Sequence, residues 1–169
     1  MNMAVPLPTA KRRTTATPHI ELRMATVDDV EKVVAFLGVF FARSRWADNL
    51  NFHTKKATRY LFGAIGSGYA PYVIAMDGDE LVGLCSYHTF DVFTDPIAVM
   101  DETYVVPRYH RTDLGRRLVA MILALAKAEG CKVMNFPIAS GMPEQNSLMN
   151  MVGRHFGAEY IGTIFRKVL

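Results

Sequence analysis

The sequence is short of cysteine and of long apolar runs, and its first 20 residues contain no acid. The two cysteines, Cys85 and Cys131, are too few for a disulfide framework, and each lies in an apolar stretch typical of a reduced core residue. The longest apolar runs, residues 33–42 and 118–126, are about half the ~20 residues that a membrane-spanning helix needs. We therefore expect a globular, cytoplasmic protein with no membrane partner.

The N-terminal segment differs in composition from the rest of the chain. Residues 1–18 contain three prolines and three basic residues, Lys11, Arg12 and Arg13, and we expect a disordered basic leader followed by one domain over residues 19–169. The net charge of +3 belongs to this leader, because the rest of the chain carries sixteen acids and sixteen bases. The leader is a candidate contact for an anionic partner, whereas the domain has no basic excess that would indicate a nucleic-acid surface.

Hydrophobic periodicity predicts a chain of alternating strands and helices. Strands are predicted at 19–24, 72–76, 81–87, 97–106, 131–138 and 160–168, and helices from Thr26, from Thr54, over 114–128 and over 146–156. Asp77-Gly78, between two predicted strands, indicates a tight hairpin. The element order β, α, α, β, β, β, α, β, α, β predicts an α/β fold with a mixed sheet.

One strand-turn-helix junction, residues 101–118, has the features of an anion site. The strand stops at Pro107, and a polar turn leads into a helix that begins near Leu114. The first N–H groups of a helix have no intrahelical partner, and the helix dipole is positive at that end. His110 and three arginines add donors and positive charge, so the junction suits a pyrophosphate group.

The same stretch resembles the acetyl-CoA-binding motif of the GNAT superfamily of N-acetyltransferases. The similarity lies in the strand Asp101-Glu102-x-Tyr104-Val105-x-Pro107-x-Tyr109, the polar loop, Leu114-Gly115 and the long apolar helix that follows. It extends over most of residues 19–169 and implies a mostly antiparallel mixed sheet flanked by helices. It also implies the transfer of an acetyl group from acetyl-CoA to a primary amine on a small molecule, a peptide or protein, or a modified nucleic-acid base.

The resemblance further implies which residues bind acetyl-CoA. Backbone groups of Val105 and Val106 would align the pantetheine arm, and Asn146 would lie at the start of the cofactor-side helix. The pyrophosphate would be bound by the loop and the helix start, which are His110, Arg111, Thr112, Asp113, Leu114, Gly115 and Arg116.

The pyrophosphate loop departs from the family pattern. Only Gly115 of the usual glycines is present, and Asp113 adds a negative charge. Asp113 either opposes the phosphate or caps the helix, and Arg111 and Arg116 are available to offset its charge. The loop therefore leaves an alternative function open, that of an inactive GNAT-like fold that binds CoA or a protein partner. A different nucleotide-binding fold is disfavoured, because no G-x-G-x-x-G motif or lysine-bearing P-loop is present.

Acetyl transfer needs a base, because only the neutral amine attacks the thioester. Asp101 and Glu102 are the candidates by position, and strict strand alternation would let only one of them point into the site. Glu102 is preferred because it shares a face with Tyr104, although an acid pair at a strand end is often a solvated edge. Tyr104, Asn146 and a water are candidate acids for the leaving thiolate, since Gly153 occupies the place of the family's usual tyrosine.

An aromatic and basic segment, residues 40–52, connects the first two predicted helices. In many GNAT proteins this connection covers the acceptor site, and Ser44-Arg45-Trp46 resembles a run in a subset of bacterial and phage relatives. Arg43, Arg45 and Trp46 are therefore candidate acceptor contacts. The alternative is that the aromatic residues here complete the core or a dimer surface, and a homodimer is a family expectation only.

The histidines outside the motif have no metal-ligand spacing. We expect them to be structural or exposed and predict no metal site; they are His19, His53, His88 and His155.

Overall fold

The computed structural model describes residues 20–91, 95–138, 142 and 145–161. In this part of the chain the strands are β1 (Ile20–Met24), β2 (Tyr72–Asp77), β3 (Glu80–Phe90), β4 (Ile97–Val105) and β5 (Val133–Asn135). The helices are α1 (Val30–Arg43), α2 (Thr54–Ser67), α3 (Leu114–Ala128) and α4 (Gln145–Phe156). The predicted leader lies outside the described residues, as does most of the predicted strand at 160–168, of which Tyr160 and Ile161 are described and not in a strand.

The strands form one sheet in the order β1-β2-β3-β4-β5. The first three pairings are antiparallel, and β4 and β5 are parallel, which confirms the predicted mixed, mostly antiparallel sheet. The predicted hairpin joins β2 to β3. Gly78 begins its two-residue turn with φ +58°, a conformation that glycine adopts without strain and that suits the strand twist.

Helices cover both faces of the sheet and bury two hydrophobic clusters. On one face α1 and α2 pack against the sheet through residues such as Val33, Leu37 and Leu61, as their helical spacing predicts. On the other face α3 and α4 pack through residues such as Leu118 and Val152. These two layers fix the positions of the loops at the end of β4.

Gly83 of β3 sets how closely α3 approaches the sheet. A Cβ at this position would lie 3.1 Å from Cδ1 of Leu118, a buried residue of α3. The absence of a side chain therefore brings the start of α3 close to the end of β4, where the predicted anion site lies.

A β-bulge in β4 changes the face on which its acids lie. Cys85 pairs with Thr103 and Tyr87 pairs with Met100, so the single residue Ser86 lies opposite Asp101 and Glu102 together. Thr103 Oγ1 is 2.9 Å from Met100 Sδ, which shows that residues three apart point to the same side. Asp101 and Glu102 therefore both face the α1 and α2 side. The prediction that only one acid points into the site is wrong, because the bulge interrupts the alternation on which it depended.

The ends of two strands also differ from the predictions. β3 extends three residues beyond the predicted 81–87, and β5 is only three residues long instead of spanning 131–138. β5 is short because it pairs with β4 only from Ile97 to Val99. Cys85 is buried and Cys131 is half-buried, and both are free thiols.

None of the helices in the described ranges has the length and apolar character needed to cross a bilayer.

Candidate active site

The edge of β4 beyond its pairing with β5 is the centre of the candidate site. The backbone N–H of Val106 donates to Val82 O over 2.9 Å, so Val106 turns its polar backbone groups toward β3. Backbone groups of neighbouring residues in an antiparallel strand point in opposite directions. Val105 and Thr103 therefore direct their backbone groups away from β3, into the gap left by the short β5.

Two cavities open along this edge and meet there. One, of about 470 Å³, lies between the end of β4, the start of α3 and α4, and we call it the loop cavity. The other, of about 460 Å³, lies between β4 and the α1–α2 connection, and we call it the acid cavity. Thr103 and Leu148 line both cavities, so a molecule extending through the loop cavity reaches the acid cavity at this junction.

The loop cavity gathers six of the predicted cofactor residues, which are Val105, His110, Thr112, Asp113, Gly115 and Arg116. The predicted catalytic residue Tyr104 also lines it, as do Ser147 and Met151 of α4, which the sequence analysis did not name. His155 of α4 lines it too, although the sequence analysis expected it to be structural or exposed.

The first turn of α3 is prepared to bind an anion. Its first intrahelical hydrogen bond runs from Arg117 N to Asp113 O over 3.0 Å. The N–H groups of Gly115 and Arg116 precede that bond and point out of the helix start. A Cβ at Gly115 would meet no atom within 4 Å, so the cavity reaches this backbone closely. A pyrophosphate group fits these donors and the positive end of the helix dipole.

Thr112, rather than Asp113, caps this helix with its side chain. Thr112 Oγ1 accepts from Leu114 N over 3.2 Å and donates to Tyr109 O over 2.7 Å. Asp113 occupies the N-cap position without a side-chain capping bond, and its Oδ2 lies 3.8 Å from Nη2 of Arg116. Arg116 therefore offsets the acid that departs from the family pattern, and the loop remains suited to phosphate.

Four predicted cofactor residues do not line the loop cavity. The side chain of Leu114 is buried in the core, and the side chains of Arg111 and Asn146 are exposed. Val106 directs its N–H to β3, as described above. Their roles in cofactor binding stay predictions.

His110 has a specific partner at this edge. Its Nε2 lies 2.7 Å from Val105 O, one of the backbone groups that face the gap. With Nε2 protonated, His110 donates to this carbonyl and leaves the N–H of Val105 to align a ligand.

The acid cavity combines an acidic floor with apolar walls. The floor is β4 from Val99 to Thr103, and Asp101 and Glu102 both line the cavity. The walls come from α1, the α1–α2 connection, the segment after β5 and α4, and they are Leu37, Phe40, Phe41, Trp46, Phe52, Pro137, Ile138 and Leu148.

Glu102 is a largely buried carboxylate held by two hydroxyl groups. Ser86 Oγ donates to its Oε2 over 2.6 Å, and the hydroxyl of Tyr72 donates to the same oxygen over 3.2 Å. Burial raises the pKa of Glu102, and the charge of Asp101 raises it further, while the two hydrogen bonds act in the opposite direction. The net raised pKa makes Glu102 a stronger proton acceptor than an ordinary exposed carboxylate.

Asp101 is paired with a histidine that the sequence analysis treated as structural. His88 Nδ1 lies 2.7 Å from Asp101 Oδ1, and both side chains are partly exposed. His88 pairs with Val99 across the strands, which places it on the face of the two acids. No group of three or more metal-ligating side chains converges within the ranges described.

The predicted acceptor residues have different surroundings. Trp46 lines the wall of the acid cavity, and the buried Ser44 holds the chain before it. Ser44 Oγ donates to Phe41 O over 2.8 Å at the end of α1 and accepts from Trp46 N over 3.3 Å. Arg43 reaches the sheet, where its Nη1 donates to the hydroxyl of Tyr104 over 2.7 Å. Arg45 is exposed and lines neither cavity.

Tyr104 is held between α1 and the sheet. Its ring packs against Phe36 and Phe40 at centroid distances of 5.3 and 5.4 Å, and the guanidinium of Arg43 lies over it. This packing and the hydrogen bond from Arg43 fix the position of the Tyr104 side chain.

Comparison of the sequence with models of known protein families identifies the family. Residues 39–141, more than half of the chain, match the model of the acetyltransferase (GNAT) family. The chain belongs to the GNAT acetyltransferase family. As a GNAT N-acetyltransferase it uses acetyl-CoA as co-substrate and transfers the acetyl group to an amine. The resemblance found in the motif around β4 and α3 is thereby confirmed.

Solved structures share the fold over most of its length. The aminoglycoside N-acetyltransferase AAC(6')-Iy in complex with CoA is 14% identical, with a TM-score of 0.71 over 92% of this chain and 98% of that chain. An aminoglycoside acetyltransferase from an uncultured soil metagenomic sample, in complex with sisomicin, is 14% identical, with a TM-score of 0.70 over 89% and 96%.

A third similar structure is a ribosomal-protein-alanine N-acetyltransferase from Brucella melitensis biovar Abortus 2308. It is 14% identical, with a TM-score of 0.62 over 88% of this chain and 99% of that chain. At these identities the likeness concerns the fold. No curated protein matches the sequence significantly.

Proposed function

We propose that this GNAT protein binds acetyl-CoA in the loop cavity and the acceptor amine in the acid cavity, with transfer taking place where the cavities meet. The observation that carries this proposal is the shared lining by Thr103 and Leu148 at the edge of β4 that β5 leaves open. A thioester at this junction would lie within reach of both acids and of Tyr104.

The proposed cofactor contacts use backbone more than side chains. The N–H groups of Gly115 and Arg116 would bind the pyrophosphate, with the Arg116 guanidinium beside it. The gap-facing backbone groups of Thr103 and Val105 would align the pantetheine arm. When bound, acetyl-CoA supplies an acetyl group activated as a thioester.

Glu102 is the proposed base. It takes a proton from the bound ammonium, and the neutral nitrogen then forms a bond to the acetyl carbon as the carbon–sulfur bond breaks. Its raised pKa matches it to this task better than an ordinary exposed carboxyl. The hydroxyls of Ser86 and Tyr72 hold the carboxylate in place.

Tyr104 is the proposed proton donor to the departing sulfur. Its oxygen accepts a hydrogen bond from Arg43, so the phenolic proton itself is left to donate. Tyr104 is among the residues that line the loop cavity, where the thioester would lie. The attacking nitrogen loses its second proton as the amide forms, and this proton restores the phenol of Tyr104. The products are an N-acetylated amine and CoA as the thiol, and the proton held by Glu102 is released to solvent.

The experiment that tests this proposal compares Glu102→Gln with the wild-type chain. Release of the CoA thiol is followed with a primary amine at saturating acetyl-CoA. We expect kcat to fall about 10²–10³-fold, the scale of losing a general base, and the calorimetric Kd for acetyl-CoA to stay within about twofold. Unchanged kcat would remove Glu102 from catalysis.

A further inference from the structure

We infer that the acceptor is a small primary amine carried on an apolar, preferably aromatic, body, with no anionic group and no array of hydroxyls. This inference rests on the proposed function, because it takes the acid cavity as the acceptor site. It is carried by the way in which polar and apolar groups are divided in that cavity.

Among the described residues, the charged and hydroxyl-bearing side chains that line the acid cavity lie on one strand. They are Asp101, Glu102 and Thr103, consecutive in β4. The opposite walls are apolar and include the rings of Phe40, Phe41, Trp46 and Phe52. A ligand that matches this division has a single cationic end at β4 and an apolar body against the rings.

The bulge in β4 concentrates negative charge at that end. Asp101 and Glu102 face the cavity together, and no basic residue is among its described lining. A phosphate or carboxylate on the acceptor would therefore be repelled, which disfavours a nucleic-acid base and an acidic peptide. An ammonium group would be attracted by the acids and also by the faces of the nearby aromatic rings.

The apolar walls also select against strongly hydroxylated amines. Hydroxyl groups placed against Phe41, Phe52 or Ile138 would give up their water without gaining a hydrogen-bond partner. The cavity volume of about 460 Å³ lies in the lower part of the range typical of small-molecule sites, about 300–1,000 Å³. One ring and a short alkyl chain with a terminal amine fit this description.

Trp46 provides a test of binding that does not depend on catalysis. It is the single tryptophan of the chain and it lines the acid cavity. The test compares phenethylamine, spermidine and kanamycin, which differ in apolar surface, charge and hydroxyl content. Each amine is titrated into the full-length protein while tryptophan emission is recorded. The same amines are then compared as acceptors by thiol release with saturating acetyl-CoA.

We expect phenethylamine to change the emission saturably and to be acetylated with a kcat/KM at least about tenfold above those of spermidine and kanamycin. Preferred acetylation of kanamycin or spermidine would overturn the inference while leaving the proposed function in place. A saturable response to phenethylamine without acetylation of any amine would contradict the proposed function, and with it the role of this amine as acceptor, although the acid cavity would still bind it.

A matched pair of variants tests the wall itself. Phe41→Ser removes a ring from the cavity, whereas Phe62→Ser removes an exposed ring of α2 that is not part of its lining. We expect Phe41→Ser to raise KM for phenethylamine about tenfold and to change KM for propylamine less than about twofold. Equal effects on the two amines, or equal effects of the two variants, would overturn the inference.

Discussion

Asp101 and Glu102 are neighbours in sequence and yet lie on the same face of the sheet and line the same cavity. A regular strand would place them on opposite faces, but the bulge opposite Ser86 restarts the alternation between them. One acid, Glu102, is largely buried and held by Ser86 and Tyr72, while the other is partly exposed and paired with His88. Because their surroundings differ, Glu102 can take up the proton while Asp101 attracts the cationic end of the amine.

The pH dependence of the reaction is predicted to follow the surroundings of Glu102. The base is active when deprotonated, so its raised pKa moves the rise of kcat/KM to higher pH than for an ordinary glutamate. Ser86→Ala removes a hydrogen bond that favours the charged form and should move the rise to still higher pH. Asp101→Asn removes a repulsive charge and should move it to lower pH.

Profiles of kcat/KM against pH for the two variants and the wild-type chain check this prediction. The same amine is used throughout, so that its own titration contributes equally to every curve. Shifts of both variants in the same direction, or no shift in either, would contradict the assignment of Glu102 as the titrating base.

His88 is predicted to position Asp101 for the acceptor. The 2.7 Å contact fixes one carboxylate oxygen, so His88→Ala should leave Asp101 less ordered and raise KM for the amine about fivefold, the scale of one lost hydrogen bond. His88→Gln, which can still donate, should recover part of the loss. Steady-state kinetics with varied amine concentration measures KM for both variants. Variants that change the Kd of acetyl-CoA and leave KM for the amine unchanged would contradict this role of His88.

Gly115 is predicted to keep the loop cavity open to the pyrophosphate. Gly115→Leu places a side chain over the first-turn N–H groups of α3 and should weaken acetyl-CoA binding at least about tenfold. Gly63→Leu is the matched control, because Gly63 also lies in a helix with open space around it and lines neither cavity. Calorimetric titration gives both values of Kd, and equal affinities for the two variants would remove Gly115 from the site.

The pair Arg23–Asp29 is predicted to make folding stability depend on pH. Asp29 is buried, and the hydrogen-bonded guanidinium of Arg23 holds the pKa of its carboxyl far below the usual range. A depressed native pKa stabilises the fold above the unfolded value of about 3.9, and this contribution is lost as the pH falls through and below that value.

Asp29→Asn should therefore cost about 2 kcal/mol of the free energy of unfolding at pH 7 and less at pH 3. The control is Asp28→Asn, an exposed neighbour whose replacement should change stability by less than about 0.5 kcal/mol. Urea denaturation of the three proteins at both pH values provides the comparison. A loss for Asp29→Asn that is equally large at pH 3 would contradict the linkage.

The sequence predicted the parts of the fold that depend on local pattern. The bounds of α3 agree with the prediction because its apolar residues keep helical spacing from Leu114 to Ala128, and the hairpin follows from Asp77-Gly78. The loop cavity was predictable for the same reason, since strand, turn and helix start are consecutive in the chain.

The acid cavity depends on register, which the sequence does not show. Ser86 and His88 lie two residues apart in β3 and therefore share a face, but only their pairing with β4 reveals that this face is that of the two acids. The bulge that brings Asp101 and Glu102 together has no signature in the residues themselves. The α4 residues that line the loop cavity, such as His155, come from a helix distant in sequence.

The central claim is that the two cavities are halves of one active site, and a crystal structure with bound acetyl-CoA tests it most directly. We predict the pyrophosphate at the N–H groups of Gly115 and Arg116, and the acetyl carbon between Thr103 and Leu148, at the opening into the acid cavity. Acetyl-CoA bound with its thioester away from this junction, out of reach of an amine beside Glu102, would contradict the claim.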